Sequence, residues 1–477
     1  MEKRKHVRPK AALAVFFWLA ILGLGISVIP ATKGNVFAGQ PVSAMAESVT
    51  TADPATETVS STPEPTGEPA ISGEEDDDVQ LTDAELASDN AALQNIETNA
   101  ALDAQAKLAE VFKHYQTLGA VVCVVENGEI THTFAYGTLD KKGTPMGENT
   151  LFRVGSISKM VTAMGIMRLV EQGKLSLDGD LSGVLGFAMR NAQYPNTPIT
   201  LRQLMTHTAG LRDNGYYSMA LEGTVTPLDS LFEGNANPTL FLKDGEAGTE
   251  TSYTNFGGGL LGSLIEQVTG QTVDAYMAET IFAPLGITAA YQSALLPQDA
   301  TVSNMYGRAS RSGTTVVRDG KPASTVAAPL TDYGLTAGKL TISAPDLAKL
   351  VIALCDGGVS GDTRVISETS VTEMRTLQNQ EGSVVCESNR GLCLNILKDT
   401  VVEGRTLYGH GGKANGMLCA AYFDPTDRTG VVMLTNGCNN RPMRDDVGML
   451  SLAVIRLCYA TLIDGQHVTQ DAWLVTQ

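Results

Sequence analysis

Ser156 and Lys159 form the pattern in this sequence with the most direct chemical meaning. They stand three residues apart at the start of an amphipathic stretch, and residues with this spacing share one face of a helix. A serine hydroxyl is a poor nucleophile until a neighbouring base removes its proton. The Lys159 amine could be that base if desolvation or a nearby cation favours its neutral form. The alternative is an ordinary helix cap at Ser156 with a solvated lysine.

A helix that begins at Ser156 would also assist the reaction electrostatically. Its first backbone N–H groups and the positive end of its dipole lie where negative charge develops on an attacked carbonyl. The S-x-x-K pattern alone is weak, since roughly one match is expected by chance in a chain of this length. Its weight therefore depends on other groups that could join it.

Two Y-x-N segments could contribute a second proton-transfer group. Tyr253-Thr254-Asn255 precedes a glycine-rich run and a predicted helix through Gln267, whereas Tyr194-Pro195-Asn196 lies in a proline-containing loop. We favour Tyr253 for this reason. The alternative for Tyr253 is a half-buried aromatic residue at a helix start.

His410-Gly411-Gly412 is the third candidate motif, on a strand predicted to begin at Leu407. Glycines in a strand leave room for a substrate to lie against the backbone. The alternative for His410 is a histidine at a strand edge with no chemical role.

The order and spacing of these motifs resemble one family. Residues 152–159, FRVGSISK, resemble the nucleophile segment of the serine β-lactamase and penicillin-binding-protein-like hydrolases, in the branch of class C β-lactamases, D-alanyl-D-alanine carboxypeptidases and related esterases. Residues 204–211, LMTHTAGL, are similar to that branch's LLTHTSGL stretch. Residues 252–287 resemble its second motif and the helix that follows. The resemblance covers about residues 105–460.

The resemblance implies a role for each matching position. Ser156 would be the nucleophile, Lys159 its proton partner and Tyr253 the general base and acid. Asn255 would hold Lys159 or the substrate amide.

The resemblance also implies a substrate-binding strand. The backbone N–H groups of Ser156 and Lys413 would form the oxyanion hole, with His410 and Gly412 also binding substrate. His207 is expected to be structural and to pack the helical subdomain.

His410 departs from the pattern of class C β-lactamases, which usually carry K-T-G at the third motif. A lysine is a permanent cation that attracts a substrate carboxylate, whereas a histidine titrates near neutrality. H-x-G is seen among peptidase and esterase relatives. We therefore expect D-alanyl-D-alanine carboxypeptidase-like activity, with a carboxylesterase, a β-lactamase or a non-catalytic cell-wall-binding module as alternatives.

The elements that must position these residues follow from periodicity and turn signals. We predict a β-hairpin over 119–137, a helix over 156–172, and a closing helix over 444–459. Further strands are predicted at 392–396, 407–409, 417–423 and 430–435. The predicted fold is α/β (α+β), an antiparallel sheet flanked by helices and built from N- and C-terminal parts. An all-helical subdomain at about 165–345 is inserted in a domain spanning 101–465, followed by a tail at 466–477.

The N-terminal hundred residues differ in composition. Residues 1–40 combine a basic start with an apolar run at 11–29, which predicts a signal peptide or membrane anchor and an extracytoplasmic location, secreted or anchored to a bacterial membrane. Residues 41–100 are predicted to be an acidic, disordered Ser/Thr/Pro-rich stalk. Helical spacing appears from about Asp83 to Tyr115 and predicts a helix leading into the domain.

Charge and cysteine content narrow the possible partners. Residues 41–106 contain fifteen of the acidic residues and no Lys or Arg. The sequence has no basic face that would indicate nucleic-acid binding. None of the seven cysteines stands in a nucleophile motif, although Cys386 and Cys393 are close enough in sequence to pair. We expect no metal and no cofactor, and a small-molecule or peptidoglycan-peptide-like substrate.

Overall fold

The computed structural model describes residues 83–213, 227–234, 237–310, 313–318, 330, 332–378, 389–414, 416–439, 443–444 and 447–465. Residues 1–40, predicted as a signal peptide or anchor, residues 466–477, predicted as a tail, and Cys386 lie outside these ranges. Within the described ranges, no helix is both long enough and apolar enough to cross a bilayer.

Most of the described α-helices are short, but five have eleven residues or more, and one near the C-terminus has ten. They are α1 (Asp83–Thr98), α2 (Ala104–His114), α3 (Ile157–Glu171), α4 (Ser182–Leu185), α5 (Leu201–Met205), α6 (Leu228–Leu231), α7 (Asn237–Leu240), α8 (Asn255–Thr269), α9 (Val273–Met277), α10 (Leu335–Gly338), α11 (Ala344–Cys355), α12 (Glu368–Arg375) and α13 (Met449–Cys458). Single turns of π-helix occupy Ala278–Phe282 and Tyr459–Ile463, and 3₁₀ turns occupy Ala283–Leu285 and Ser293–Leu295.

The strands form one large sheet and several small ones. They are β1 (Gly119–Glu126), β2 (Glu129–Gly137), β3 (Leu151–Arg153), β4 (Ala289–Ala290), β5 (Met305–Ser310), β6 (Gly313–Arg318), β7 (Thr341–Ser343), β8 (Val359–Ser360), β9 (Thr363–Arg364), β10 (Arg390–Gly391), β11 (Leu394–Lys398), β12 (Thr406–Ala414), β13 (Met417–Asp424), β14 (Thr429–Gly437), β15 (Met443–Arg444) and β16 (Val447–Gly448).

The large sheet joins the two ends of the domain. Its order is β10-β11-β12-β13-β14-β1-β2, and every neighbouring pair is antiparallel. The N-terminal hairpin turns at Asn127 and Gly128, which have φ values of +54° and +82°. These are the positive angles that a tight hairpin turn demands. The predicted antiparallel sheet flanked by helices, built from distant parts of the chain, is confirmed.

Both faces of this sheet are covered, because the side chains of β1 alternate between two apolar layers. Val121, Cys123 and Val125 belong to the core that contains α3, α8 and α11. Ala120, Val122 and Val124 pack in the core that contains α2 and α13. The site residues therefore lie on the α3 and α8 side of a fully buried central strand.

The predicted stalk at 41–100 is wrong for its last part. Residues Asp83–Thr98 form α1, and Leu93 of this helix is only 2% exposed. The Asp89 carboxylate accepts a hydrogen bond from the Tyr115 hydroxyl at 2.7 Å and lies 2.5 Å from His114 Nε2. Acidic composition indicated disorder up to residue 100, whereas the helical spacing from about Asp83 correctly predicted a helix. Contacts with the end of α2 and the residue after it hold this helix in the folded domain.

The prediction of an all-helical subdomain at about 165–345 is wrong, because the inserted region also contains strands. It contributes β4 and β7 to a small sheet with β3, and it contains the β5–β6 hairpin. Strands of two or three residues are too short for alternation to be visible in the sequence. The pairing of β3 with β7 matters for the site because β3 leads directly into Ser156.

Two further boundaries differ from the prediction. The strand predicted over 392–396 is correct for residues 394–396, which lie in β11, but Leu392 and Cys393 form the turn of the β10–β11 hairpin, in which Cys393 has a φ of +52°. The closing helix begins at Met449 rather than Arg444, after the short strands β15 and β16.

Candidate active site

Ser156 lies at a sharp turn between β3 and α3. The preceding Gly155 has a φ of +57°, which glycine adopts without steric cost. A Cβ atom on Gly155 would lie 2.9 Å from the backbone nitrogen of Lys413, so the close approach of β12 also requires glycine here. Ser156 is the N-cap residue of α3, but its hydroxyl makes no capping hydrogen bond. The hydroxyl is thus not engaged as an ordinary helix cap.

Lys159 is fully buried one helical turn beyond Ser156. Its Nζ atom lies 3.0 Å from Ser156 Oγ, and it donates to Asn255 Oδ1 at 2.9 Å and to the Ala337 carbonyl at 2.7 Å. The two carbonyls occupy two N–H groups, so the third tetrahedral position faces the serine hydroxyl. That position holds an N–H in the ammonium form and a lone pair in the neutral amine. The same geometry can therefore accept the serine proton and later return it.

Glycines of α8 make the space that Lys159 occupies. A Cβ atom on Gly258 would lie 2.4 Å from Lys159 Cε, and one on Gly259 would lie 1.5 Å from the Tyr333 carbonyl oxygen. Because this face of α8 carries no side chains, the segment leading into α10 packs directly against it. The Ala337 carbonyl is thereby brought to the lysine amine.

Tyr253 stands just before α8 and meets the nucleophile. Its hydroxyl lies 2.7 Å from Ser156 Oγ, and its ring centroid lies 4.9 Å from Lys159 Nζ. The residue is 40% exposed, so its phenol connects the buried amine with solvent. Tyr194 lies in a separate turn, where its backbone N–H donates to the Asn191 carbonyl at 2.9 Å. Of the two candidates, Tyr253 is the one that meets Ser156.

Asn255 links Lys159 to a residue that the sequence motifs did not identify. Its amide oxygen accepts from the Lys159 amine, and its Nδ2 donates to Asp213 Oδ2 at 2.9 Å. Asp213 follows the LMTHTAGL segment by two residues, which was the only available signal. The Ala337 carbonyl accepts a hydrogen bond from the same amine. No pattern around residue 337 indicates this contact, and only the glycines of α8 suggest a close approach of another segment.

His207 supports the segment that carries Tyr253. The two rings lie 4.3 Å apart between centroids, at an interplanar angle of 39°. The His207 carbonyl accepts the Ser252 N–H at 2.8 Å, and its Nδ1 accepts the Thr254 N–H at 3.4 Å. The predicted structural role thus falls on the tyrosine segment rather than on general packing of the helical region.

The protonation state of His207 fits this contact. Burial, followed by the positive charges of Arg390, Lys159 and His410, lowers the pKa of His207 well below its ordinary value of 6.5. The imidazole is therefore neutral at neutral pH, and its Nδ1 can accept the hydrogen bond from Thr254.

β12 passes on the other side of the nucleophile. Its ladder with β11 ends at the pair Asn395 and Gly409, while its pairing with β13 continues to Ala414. A Cβ atom on Gly412 would lie 2.0 Å from the Val154 carbonyl oxygen, so the strand lies directly against the turn that carries Ser156. The residues from 410 to 413 therefore line the edge nearest the nucleophile.

His410 approaches the site less closely than Tyr253 does. Its ring centroid lies 6.5 Å from that of Tyr253, and its Nδ1 lies 2.5 Å from the Gly411 carbonyl. His410 is buried, with 5% of its surface exposed.

Arg390 is a third residue that sequence reasoning missed, after Asp213 and Ala337. Its guanidinium carbon lies 5.7 Å from the centroid of the Tyr253 ring, and its Nη1 donates to Asn395 Oδ1 at 3.0 Å. A guanidinium is charged at any physiological pH. A permanent cation thus lies near the phenol even though the third motif has no lysine. No local pattern around residue 390 indicates this position.

The structure describes six of the seven cysteines. Six cysteines are buried with free thiols, Cys393 among them. Burial raises the pKa of Cys393 to about 12, which disfavours its thiolate. Across the described ranges, no group of three or more His, Cys, Asp or Glu side chains is arranged to hold a metal ion.

Known proteins match this sequence over most of its folded region. The profile of the family described as Beta-lactamase matches residues 103–453. Penicillin-binding protein 4 of Amycolatopsis lactamdurans is 30% identical over 332 residues, which are 67% of this chain and 81% of that protein. Esterase EstB of Burkholderia gladioli is 30% identical over 190 residues, which are 37% of this chain and 48% of that esterase.

Solved structures match the fold. The octameric penicillin-binding protein homologue from Pyrococcus abyssi has a TM-score of 0.61 at 23% identity, over 78% of both chains. The D-amino acid amidase from Ochrobactrum anthropi SV3 has a TM-score of 0.59 at 21% identity, over 80% of this chain and all of the amidase. Identities this low show a shared fold. Because the family profile spans well over half of the chain and a relative matches at 30% identity, this protein belongs to the beta-lactamase family of serine hydrolases.

Proposed function

We propose that this protein hydrolyses peptides ending in D-alanyl-D-alanine through an acyl-enzyme on Ser156. The observation that carries the proposal is the pair of contacts on one atom, Ser156 Oγ. The Tyr253 hydroxyl lies 2.7 Å from it and the Lys159 amine lies 3.0 Å from it. A serine with two proton-transfer groups in hydrogen-bond reach has the arrangement needed for nucleophilic catalysis.

In the acylation step, Ser156 Oγ bonds to the substrate carbonyl carbon while its proton passes to the pair formed by Tyr253 and Lys159. The tetrahedral intermediate then collapses, the C–N bond breaks, and the pair returns the proton to the departing amine. In the deacylation step, the oxygen of a water molecule bonds to the acyl carbon while its proton passes to the same pair. The ester bond to Ser156 Oγ then breaks, and the pair returns the proton to Ser156.

The oxyanion is held by backbone N–H groups in this proposal. Ser156 at the start of α3 and Lys413 on β12 are the two donors. Their proximity is supported by Gly155, where an added Cβ atom would lie only 2.9 Å from the Lys413 nitrogen. Removing one such donor typically costs about 100- to 1,000-fold in rate.

The choice of substrate rests on the strand side of the site. β11 pairs with β12 only as far as Gly409, so the main chain of residues 410–413 is the part of β12 that a peptide could pair with, and a relative is named as a penicillin-binding protein. We place a peptidoglycan-like peptide here, with Asn255, His410 and Gly412 as its further contacts.

A carboxylesterase is the second candidate, and His410 is the observation that favours it. A histidine attracts a substrate carboxylate less strongly than a lysine at neutral pH. A site with histidine therefore favours carboxylate-bearing substrates over neutral esters less than a site with lysine does. An esterase is among the relatives. β-Lactam hydrolysis and binding without turnover remain the other outcomes of the assays below.

The acyl-enzyme is tested by mass. A fluorophosphonate or a penicillin should add its phosphonyl or acyl mass to native protein, and peptide mapping should place the adduct on Ser156. Ser156→Ala is the matched control and should remain unmodified. Unmodified native protein, or an adduct of equal yield on the variant, would contradict the proposal.

The substrate class is tested by comparing kcat/KM on three compounds: a D-Ala-D-Ala peptide, a short-chain nitrophenyl ester and a chromogenic cephalosporin. The proposal expects release of D-alanine from the peptide to have the highest value. A highest value on the ester would favour the carboxylesterase, and one on the cephalosporin the β-lactamase.

We also propose that the protein acts outside the cytoplasm, secreted or held at the membrane through residues 11–29. The support is the basic start followed by an apolar run in the sequence. Expression of the full chain followed by cell fractionation tests this. Recovery of the protein in the cytoplasmic fraction would contradict it.

A further inference from the structure

Asp213 makes more hydrogen bonds to the start of α8 than a helix cap needs. Its Oδ1 accepts from the Thr254 hydroxyl at 2.8 Å and from the Phe256 N–H at 2.8 Å. Its Oδ2 accepts from the Asn255 N–H at 3.1 Å and from the Asn255 side-chain Nδ2 at 2.9 Å. The two backbone contacts satisfy N–H groups that every helix start leaves open. The contact with the Asn255 side chain has no capping role.

This extra contact determines which way the Asn255 amide faces. An amide has a donor end and an acceptor end, and an ionised carboxylate can only accept. With Nδ2 held by Asp213, Oδ1 must face the Lys159 amine, as its distance of 2.9 Å shows. A rotated amide would place an oxygen against the carboxylate and an N–H against the amine, and both contacts would be unfavourable.

We propose that Asp213 is a positioning residue for catalysis, which acts by orienting the Asn255 amide. That amide and the Ala337 carbonyl together set the rotation of the Lys159 amine, whose third position faces Ser156 Oγ. Asp213 contacts neither the nucleophile nor its proton partners. Of its four contacts with the start of α8, the one with the Asn255 side chain bears on the orientation of the Lys159 amine. This inference rests on the proposed acyl-enzyme function of the same site.

Asp213 is exposed, so its own position depends on the backbone around it. Gly210 has a φ of +67°, and a Cβ atom there would lie 2.4 Å from the Gly245 carbonyl oxygen. Leu211 forms an isolated bridge with Phe241. The Arg212 N–H donates to the Leu240 carbonyl at 2.8 Å. The helical region thus holds Asp213 against α8 through main-chain contacts.

The test measures acylation of the full-length protein by the burst of nitrophenol from nitrophenyl acetate, and the rate of fluorophosphonate labelling. Asp213→Asn keeps the shape but introduces a donor, which turns the Asn255 amide or displaces it. We expect acylation to fall about 10- to 100-fold, since misplacements near 1 Å can cost about 100-fold. Asp213→Glu keeps the acceptor-only carboxylate and should retain more activity than Asp213→Asn, although its shape fits less well.

The pH profile separates positioning from simple support of the fold. In Asp213→Asn, a carboxylate charge is lost and an N–H can turn toward the amine, and both changes disfavour the ammonium form. The pH at which acylation rises should therefore move to a lower value. Thr272→Ala is the matched control, because it removes the capping hydroxyl of α9 and touches neither Asp213 nor Asn255. It should lower the melting temperature while keeping the burst rate within about twofold.

Three results would overturn the proposal: native acylation rates in Asp213→Asn, equal losses in Asp213→Asn and Thr272→Ala, or lower activity in Asp213→Glu than in Asp213→Asn. Failure of the underlying function looks different. In that case, the native protein itself gives no burst and no labelling of Ser156.

Discussion

The two sides of Ser156 are held in place by different kinds of interaction. The tyrosine side, which we define as residues 252–256, is fixed by the hydrogen bonds that it donates to His207 and Asp213, about 40 residues earlier in the sequence. The strand side, residues 410–413, is fixed by its main-chain ladder with β13 and by glycines that touch the nucleophile turn. Proton-transfer groups thus depend on polar orientation, whereas the strand side depends on backbone shape.

This difference predicts how each side fails. A polar substitution should disturb the tyrosine side without changing any volume, because a hydrogen-bond donor replaced by an acceptor reverses a contact. The strand side should tolerate polar changes better but should be sensitive to a single added methyl group, since a methyl group on Gly412 would lie 2.0 Å from the Val154 carbonyl oxygen. The following variants test that contrast, from the largest expected effect to the smallest.

Tyr253→Phe should have the largest effect. The variant keeps the ring stacked on His207 but removes the hydroxyl 2.7 Å from Ser156 Oγ. Loss of a general base and acid typically costs about 100- to 10,000-fold, so we expect acylation to fall in that range while the melting temperature changes little. Tyr194→Phe is the matched control and should be nearly silent. A silent Tyr253→Phe, measured by the same nitrophenol burst, would remove the basis for the tyrosine side.

Gly412→Ala tests the strand side by volume alone. Its Cβ atom would lie 2.0 Å from the Val154 carbonyl oxygen, which forces β12 away from the turn that carries Ser156. We expect acylation to fall about 100-fold because the oxyanion donors separate. Gly183→Ala has nothing within 4 Å of its new Cβ atom and should behave as the native protein in the burst assay. If Gly412→Ala acylates normally, the strand side is more plastic than the contrast requires.

The stability of the tyrosine side should depend on pH through His207. Its folded pKa lies well below 6.5, so protonation favours the unfolded state. Stability is therefore fully present above pH 6.5 and is lost below it, by up to about 1.4 kcal/mol per pH unit until the folded pKa is reached.

Urea unfolding of native protein and His207→Asn at pH 7.5, 6.0 and 5.0 measures this loss. Asparagine tolerates the φ of +59° at this position and has an acceptor that does not titrate. The variant should lose less stability than the native protein over this range. Parallel pH curves would assign the acid sensitivity to other groups.

His410→Lys should have the smallest effect, confined to substrate choice. A permanent cation in place of imidazole should raise the kcat/KM for a carboxylate-bearing substrate over that for a neutral ester by roughly three- to tenfold. In the native protein that ratio should fall as the imidazole loses its proton, whereas in the variant it should stay level over the same pH range. An unchanged ratio would place His410 outside substrate recognition.

Much of the fold was predictable from local patterns. Asn127-Gly128 predicts the first hairpin because only residues that tolerate positive φ fit a tight turn, and the helix from Ser156 ends near Gly173, whose φ is +68°. The strands around 417–423 and 430–435 were visible because a turn signal, Asp424-Pro425-Thr426-Asp427, separates two apolar runs. The short strands β3, β4 and β7 and the hairpin β5–β6 were not predicted, because pairing with distant segments decides them rather than their own sequence.

Within the site, the sequence alone determined which groups share a helix turn, so Ser156 and Lys159 could be paired by spacing. The resemblance to a known family then pointed to Tyr253 and Asn255. Contacts made across the fold could not be obtained this way, because Asp213, Ala337 and Arg390 stand in no motif.

The physical reason is one of range. Helix spacing and turn angles are properties of a few neighbouring residues, whereas the direction of an amide or of an amine depends on every group that surrounds it. Asn255 is an asparagine by sequence, but only the folded chain decides that its oxygen faces Lys159 and its nitrogen faces Asp213.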